Sequence, residues 1–321
     1  MINAIKRLVQ SNDLLHSASM SIYMKLVFRR SVRRRALDKG LVVDFQDDHI
    51  DVRDGNRVIR SSTRHAIYIF DMVDNFDFFF EAVEPTSSQG TALVDYSKPQ
   101  SHRVRGFDLH PIFFPSIAEP VETTTQYIEF ASLTEGSVAI DLGAYAGLTS
   151  ILFREQCGET GKVIAVEADP TNIDAVRRNL AAYEHSTGRS IELLEGAVWI
   201  HNDGIRFSTE GSMGSSATDI VGNRTGEARL VPSWTLSALV NRFDLHRVDF
   251  IKCDIEGGEA VIFDDTKFFE QHRPRMIVEV HAISGKMTTE KVMSALSRVD
   301  YGCRQVPQNG FDLPLLECWP N

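Results

Sequence analysis

Four stretches of this sequence carry side chains whose types and spacing could do chemistry. In the first, Asp141 follows a short apolar run, Val138 to Ile140, and Gly143 and Gly147 precede an apolar segment, Leu148 to Phe153. A side chain at either glycine would hold the backbone away from a ligand and obstruct a sharp turn. In the second, Glu167 closes the apolar run Lys162 to Val166, 24 residues after Gly143. A carboxylate at the tip of a strand there can accept hydrogen bonds from two ribose hydroxyls. In the third, an apolar run from Val248 delivers Lys252, Asp254 and Glu256, with Glu259 about one helical turn later. Charges so close together need partners or ligands, because unpaired burial is costly. In the fourth, His281 ends another apolar run, where an imidazole suits a proton acceptor near neutral pH.

The order of residues at Asp141 bears on the nucleotide. A dinucleotide site shows G-x-G-x-x-G, with a helix N-terminus facing a pyrophosphate; here the order is D-x-G-x-x-x-G. A carboxylate at Asp141 repels pyrophosphate and suits a cationic amino-acid or sulfonium group. The stretch resembles the first motif of class I S-adenosylmethionine-dependent methyltransferases. On that reading Asp141, Gly143, Ala144, Tyr145, Gly147, Glu167 and Ala168 bind cofactor, and Gly196 and Ala197, ending the third strand, contact adenine. Tyr145 departs from the small residue or Asn usual there, and must turn outward or pack on the ligand. The alternatives are an ordinary strand-to-helix turn and a nicotinamide-dependent oxidoreductase on a similar Rossmann-like sheet.

Elements that would hold these residues follow from periodicity and turn signals. Strands are expected at 138–140, 162–166, 191–198, 248–253 and 276–281, with a terminal pair near 301–306 and 313–318. Helices are expected at 120–133, from 148, from about 170 to 183, and at 235–243, 258–263 and 288–298. Alternating strands and helices call for a mostly parallel sheet. Upstream, residues 1–39 read as a basic helix. Residues 41–60 read as an antiparallel piece with a turn at Asp54-Gly55-Asn56. Ile67, Phe70, Val73, Phe76, Phe80 and Val83 predict one helix over 64–83, and the Pro-rich residues 84–119 predict loops and short strands. A hairpin through Ile205 and Phe207, and a Gly/Ser-rich loop at 211–216, complete the pattern.

Taken in order, Asp141-Leu-Gly-Ala-Tyr-Ala-Gly147, Glu167 with Asp169-Pro170, Asn179-Leu180, Lys252-Cys-Asp-Ile-Glu-Gly-Gly-Glu259 and Val278-Glu-Val-His281 resemble the FkbM family of S-adenosylmethionine-dependent methyltransferases. The resemblance covers about residues 120–320. Tyr145 stands where Asn is usual and Gly258 where Ala is usual. The resemblance implies an α/β class I fold: a mostly parallel seven-stranded sheet with helices on both faces. The methyltransferase domain would span 120–321, with an N-terminal α+β extension at 1–119 as a substrate wall. It implies methyl transfer to a hydroxyl of a sugar, glycan, glycolipid or natural product. His281, Asp254 and Glu256 are the candidate bases, Lys252 belongs to the same catalytic block, and Glu259 is expected to cap or pair structurally. A divalent cation at Asp254 and Glu256 is not favoured, because two carboxylates without a third fixed partner make a weak metal site.

Composition narrows the partners. The 321 residues carry a net charge of −10, which argues against bulk nucleic-acid binding. The Asn/Asp-Pro-Pro-aromatic turn of amine-methylating nucleic-acid enzymes is replaced by Asp254-Ile255-Glu256-Gly257. Residues 1–40 nevertheless hold nine Lys or Arg against two Asp. Arg29, Arg30, Arg33, Arg34 and Arg35 could touch an anionic membrane or substrate, although a solvated helix face is the plainer reading. The four cysteines show no metal spacing, and no apolar run is long enough to span a bilayer. A reduced, cytoplasmic enzyme without a secretory signal is expected.

Overall fold

The alternation at residues 41–60 becomes a sheet in the computed structural model, which describes residues 18–88, 90–209, 216–217, 227–283 and 285–321. Strands β1 (Val42–Phe45), β2 (His49–Asp54) and β3 (Arg57–Ser62) run antiparallel, and Asp54 pairs with Arg57 across a two-residue turn at Gly55 and Asn56. Next come helices α2 (Ile69–Asp74) and α3 (Phe76–Glu81) and strands β4 (Thr86–Ser88) and β5 (Thr91–Tyr96). β5 lies parallel to β3, giving the order β1-β2-β3-β5-β4. The single helix expected over 64–83 is broken instead. A 3-10 turn, Thr63–Tyr68, leads into α2, and Asn75 leaves helical geometry before α3. Both pieces bury their apolar side chains, among them Phe70, Val73, Phe76 and Phe80, so one stripe serves two short helices.

Helix α1 (Ala18–Asp38) precedes this sheet and buries Val32 and Ala36. Arg29, Arg30, Arg33 and Arg34 are exposed. The guanidinium groups of Arg29 and Arg33 lie over the Phe45 ring, and Arg35 pairs with Asp74. The part of the expected N-terminal helix before residue 18, and the Gly/Ser-rich loop apart from Ser216, lie outside the described residues.

Two compact units divide the chain: residues 1–105 with 116–120, and residues 106–115 with 121–321. The second unit contains every candidate site residue. After residues 106–115 it continues with α4 (Val121–Ala131) and alternates β6 (Val138–Leu142), α5 (Leu148–Cys157), β7 (Lys162–Glu167), α6 (Pro170–Thr187) and β8 (Glu192–Glu195). After a three-stranded antiparallel excursion through Ile205–Thr209 come α7 (Leu236–Arg242), β9 (Phe250–Cys253), α8 (Glu259–Ile262) and α9 (Thr266–His272). The unit ends with β10 (Arg275–Glu279), α10 (Thr289–Ser297), β11 (Tyr301–Gln308) and β12 (Phe311–Pro320). Helix α9 is additional to the sequence reading. The third strand stops at Gly196 (φ +146°), where a Cβ would lie 2.7 Å from the Pro232 carbonyl oxygen; a short strand at Ala197–Val198 then pairs with Ser233–Trp234.

The sheet order is β8-β7-β6-β9-β10-β12-β11, parallel except where β12 pairs with β10 and β11. Side chains alternate across it. Ala139, Val163, Phe250 and Ile277 pack with Tyr127 of α4 and Phe153 of α5 on one face. Ile140, Ile164, Ile251 and Met276 pack with Leu239 of α7, Phe269 of α9 and Leu296 of α10 on the other. This is the seven-stranded class I methyltransferase sheet. The strand order reverses between β6 and β9, and ligands of open α/β sheets bind at such a point, beyond the strands' carboxyl ends.

Candidate active site

Parallel pairing of β6 with β9 sets Asp141 opposite Lys252. Both are buried, Asp141 completely. Lys252 Nζ lies 3.3 Å from Asp141 Oδ1 and 3.5 Å from Asp254 Oδ2, and donates to the Gly143 carbonyl oxygen at 2.6 Å. Ser150 of α5 donates to Asp141 Oδ2. One ammonium thus ties the tips of two central strands to the turn between β6 and α5.

That turn is closed by its own hydrogen bonds. Gly143 and Ala144 N–H both donate to the Val166 carbonyl oxygen, Tyr145 N–H to Glu167 Oε2, and Gly147 N–H to the Ala144 carbonyl oxygen. A pyrophosphate cradle needs such N–H groups aimed at the ligand; here they are spent internally, which disfavours a dinucleotide. Gly143 (φ +82°) is required by packing as well as by turning, since a Cβ there would sit 1.8 Å from the Asp254 carbonyl oxygen. Tyr145 does not turn outward: its backbone is left-handed (φ +51°) and its ring is buried against Phe114. Asn179 of α6 fastens the same region, donating to the carbonyls of Phe113 and Ala146 and accepting from Phe113 N–H.

Glu167 ends β7 and accepts from the N–H groups of Tyr145, Ala168 and Asp169. Burial pushes its carboxyl up to about 7, against the pull of those hydrogen bonds. Ala168 and Ala197 belong to an apolar cluster with Trp199, Ile205, Phe207 and Val231, adjoining that carboxylate. Asp169 caps α6 by accepting from Thr171 N–H, which holds the β7 tip in place.

The acidic block and His281 converge. Glu259, buried at the start of α8, accepts at Oε1 from His281 N–H and the Thr288 hydroxyl and at Oε2 from Gly257 N–H. It is structural, as its position after Glu256 suggested. Burial opposes its ionisation, but His281 holds its carboxyl below the usual range. His281 Nδ1 also lies 3.3 Å from Glu259 Oε1. Nε2 points the other way, 3.4 Å from Glu279 Oε1, 3.6 Å from Glu256 Oε1 and 3.7 Å from Asp254 Oδ1. It is buried and makes no hydrogen bond among the described residues.

Burial disfavours the imidazolium charge, yet Glu256, Glu259 and Glu279 outweigh it and hold the His281 pKa well above the usual range. Asp254 moves oppositely to an ordinary carboxylate: burial and then Glu279 push it up to about 6, against Lys252 and His281. Burial also works against Glu279, but His281, Gln308 and Lys252 hold its carboxyl below the usual range. Sequence reasoning passed over Glu279. The signal was there, because residues two apart in a strand share a face, and Glu279 stands two before His281. Glu256 (φ +51°) and Gly257 (φ +103°) bend the chain between Asp254 and α8. At Gly258 a Cβ would meet Ile255 Cδ1 at 2.8 Å, so Ile255 occupies the space an Ala methyl would need.

Residues 141–303 match the Methyltransferase FkbM domain, about half of the chain. The chain belongs to the FkbM methyltransferase family. It is therefore an S-adenosylmethionine-dependent methyltransferase, on the sheet order described above. Solved structures similar to this methyltransferase include the FkbM methyltransferase of Methylobacillus flagellatus KT, 17% identical, with a TM-score of 0.40, over 60% of this chain and 50% of that one. Another is precorrin-6y C5,15-methyltransferase of Geobacter metallireducens GS-15, 16% identical, TM-score 0.38, over 63% and 90%. A third is the O-methyltransferase of Bacillus cereus in complex with SAH, 11% identical, TM-score 0.38, over 64% and 82%. No curated protein matches the sequence. No helix among the described residues is long and apolar enough to cross a membrane.

Proposed function

We propose that this methyltransferase transfers the methyl group of S-adenosylmethionine to a hydroxyl of a sugar, glycan, glycolipid or natural-product acceptor. The observation that carries the reading is the cluster of Asp254, Glu256, Glu279 and His281, placed at the strand tips next to the β6–α5 turn. The sulfonium carbon is attacked by the acceptor oxygen while the neutral thioether leaves. A hydroxyl is a weak acid, so its proton needs an acceptor near the cofactor.

Among the candidate bases, Asp254 fits best. A carboxyl raised to about 6 is ionised at neutral pH yet basic enough to take a proton. His281 already carries its proton in this setting and acts by orienting Asp254. The residues fit the cofactor's own chemistry. Glu167 retains acceptor capacity beyond the three N–H groups it holds, since a carboxylate offers about four lone-pair sites, and takes the ribose hydroxyls. Ala168 and Ala197, within their apolar cluster, would line the adenine. The β6–α5 turn receives the amino-acid end. Alignment of three reacting atoms supplies about 7–11 kcal/mol in favourable intramolecular cases, and a base roughly 10²- to 10⁴-fold in rate.

The test is incubation with S-adenosylmethionine carrying a trideuterated methyl group and a panel of sugar and polyketide alcohols, read by mass spectrometry and NMR. A deuteromethyl ether on oxygen is expected. Transfer confined to nitrogen or carbon acceptors would overturn the assignment to hydroxyls.

A further inference from the structure

Three side chains of this cluster, Asp254, Glu279 and His281, are each held at one atom and turned inward at another. Glu279 Oε2 accepts from Gln308 Nε2 at 2.8 Å, so Oε1 is the atom turned toward His281. Asp254 Oδ2 lies beside the Lys252 ammonium, so Oδ1 is the atom turned inward. His281 Nδ1 faces Glu259, so Nε2 is the atom turned inward. Asp254 Oδ1, Glu279 Oε1 and His281 Nε2 therefore converge on one point, and the ligand atoms of these three residues lie within 4.8 Å of one another. That spread suits a cation held about 2.0–2.2 Å from each. The independent sign is the imidazole itself: its side chain is only 8% exposed and Nε2 makes no hydrogen bond among the described residues, and a cation there takes the place of the proton that the surrounding carboxylates hold on it in the metal-free chain. Outer partners that fix a histidine's far nitrogen and the far oxygens of carboxylates are the usual support of a metal site.

We propose that Asp254, Glu279 and His281 bind a first-row divalent cation such as Mn²⁺ or Zn²⁺, which receives the acceptor's oxygen in its open position. One nitrogen and two oxygens make a donor set better suited to such ions than to Ca²⁺. The third fixed partner missing from the sequence reading is supplied by the strand geometry of β10, which puts Glu279 beside His281. The cation's role rests on the hydroxyl reading above; its binding does not. Coordination lowers the pKa of the acceptor hydroxyl. The O–H bond breaks, the oxygen forms its bond to the methyl carbon as the carbon–sulfur bond breaks, and, with Asp254 engaged as a ligand, the proton passes in its place to Glu256, the carboxylate of the cluster outside the ligand set.

The experiment uses the full chain, stripped with chelator, and Mn²⁺ alone as probe. Titration followed by the electron paramagnetic resonance of free Mn²⁺ is expected to show one saturable site per chain. Spin-echo spectra are expected to show a ¹⁴N coupling from a bound imidazole, lost in His281→Gln. Asp254→Asn and Glu279→Gln are expected to weaken Mn²⁺ at least tenfold, with S-adenosylhomocysteine binding retained as the check that they fold. No saturable site in the wild-type chain, or bound Mn²⁺ without ¹⁴N coupling, would overturn the proposal. Mn²⁺ binding as expected, with no alcohol methylated, would leave the cation site standing and defeat only the hydroxyl reading.

Discussion

Lys252 concentrates most of what holds the site together at the residue scale. Its ammonium sits between Asp141 and Asp254, and removing one partner of a buried ion pair typically costs about 3–5 kcal/mol because the other charge is left uncompensated. Lys252→Met is therefore expected to lower the unfolding free energy by roughly that amount in urea titrations; a loss under about 1 kcal/mol would mean that the pair contributes little. The same burial changes what Asp141→Ala would report. That substitution would strand Lys252 as well as remove a candidate cofactor-binding carboxylate, so lost binding must be read beside lost stability. Asp254 brings pH dependence. Its carboxyl is raised from 3.8 to about 6. The folded chain holds that proton more tightly, so its contribution to stability is complete below 3.8 and lost as pH rises through about 6. Catalysis runs the other way, because Asp254 must be ionised whether it takes the proton or holds a cation: kcat/KM is expected to rise through about pH 6 and then level. Asp254→Asn is expected to abolish that acid limb and lower kcat by roughly 10²- to 10⁴-fold. An unchanged profile in the variant would move the base elsewhere.

The elements were unevenly legible in the sequence. β6, β7, β9 and β10 are short apolar runs ending in charge, and α6 announces itself by Asp169-Pro170; each came through within a few residues. Periodicity did not separate α2 from α3, because both bury the same stripe and only Asn75 departs from helical angles. β5 went unnamed for a different reason. It pairs in parallel with β3 across an intervening helical segment, and nothing local in the Pro-rich stretch signals such a partner. The turn between β6 and α5 was read correctly as a turn, but the need for glycine was only half seen. At Gly143 a Cβ collides with the backbone of Asp254; at Gly147 it would touch Val176 Cγ1 at 3.4 Å. Gly147→Ala should thus cost about 1–2 kcal/mol for its left-handed backbone alone. Gly143→Ala should cost more and weaken cofactor binding as well, since the tips of β6 and β9 must part. Thermal melts with and without S-adenosylhomocysteine compare the two; equal losses would contradict the packing argument.

Across the whole molecule, the net charge of −10 hides a basic N-terminal segment, and the candidate site residues all fall within the second unit. Asp141, Glu167 and Asp254 lie at or just past the ends of three different strands, and the sheet order gathers them at the edge where the order reverses. Their types were readable from sequence, whereas register decides that Asp141 faces Lys252. The central claim is that this edge holds a sulfonium cofactor and not a dinucleotide, and parallel calorimetric titrations with S-adenosylhomocysteine and NAD test it most directly. The expected result is saturable one-to-one binding of S-adenosylhomocysteine, weakened at least tenfold in Glu167→Ala, with no heat from NAD. Saturable NAD binding, or S-adenosylhomocysteine binding indifferent to Glu167, would contradict it.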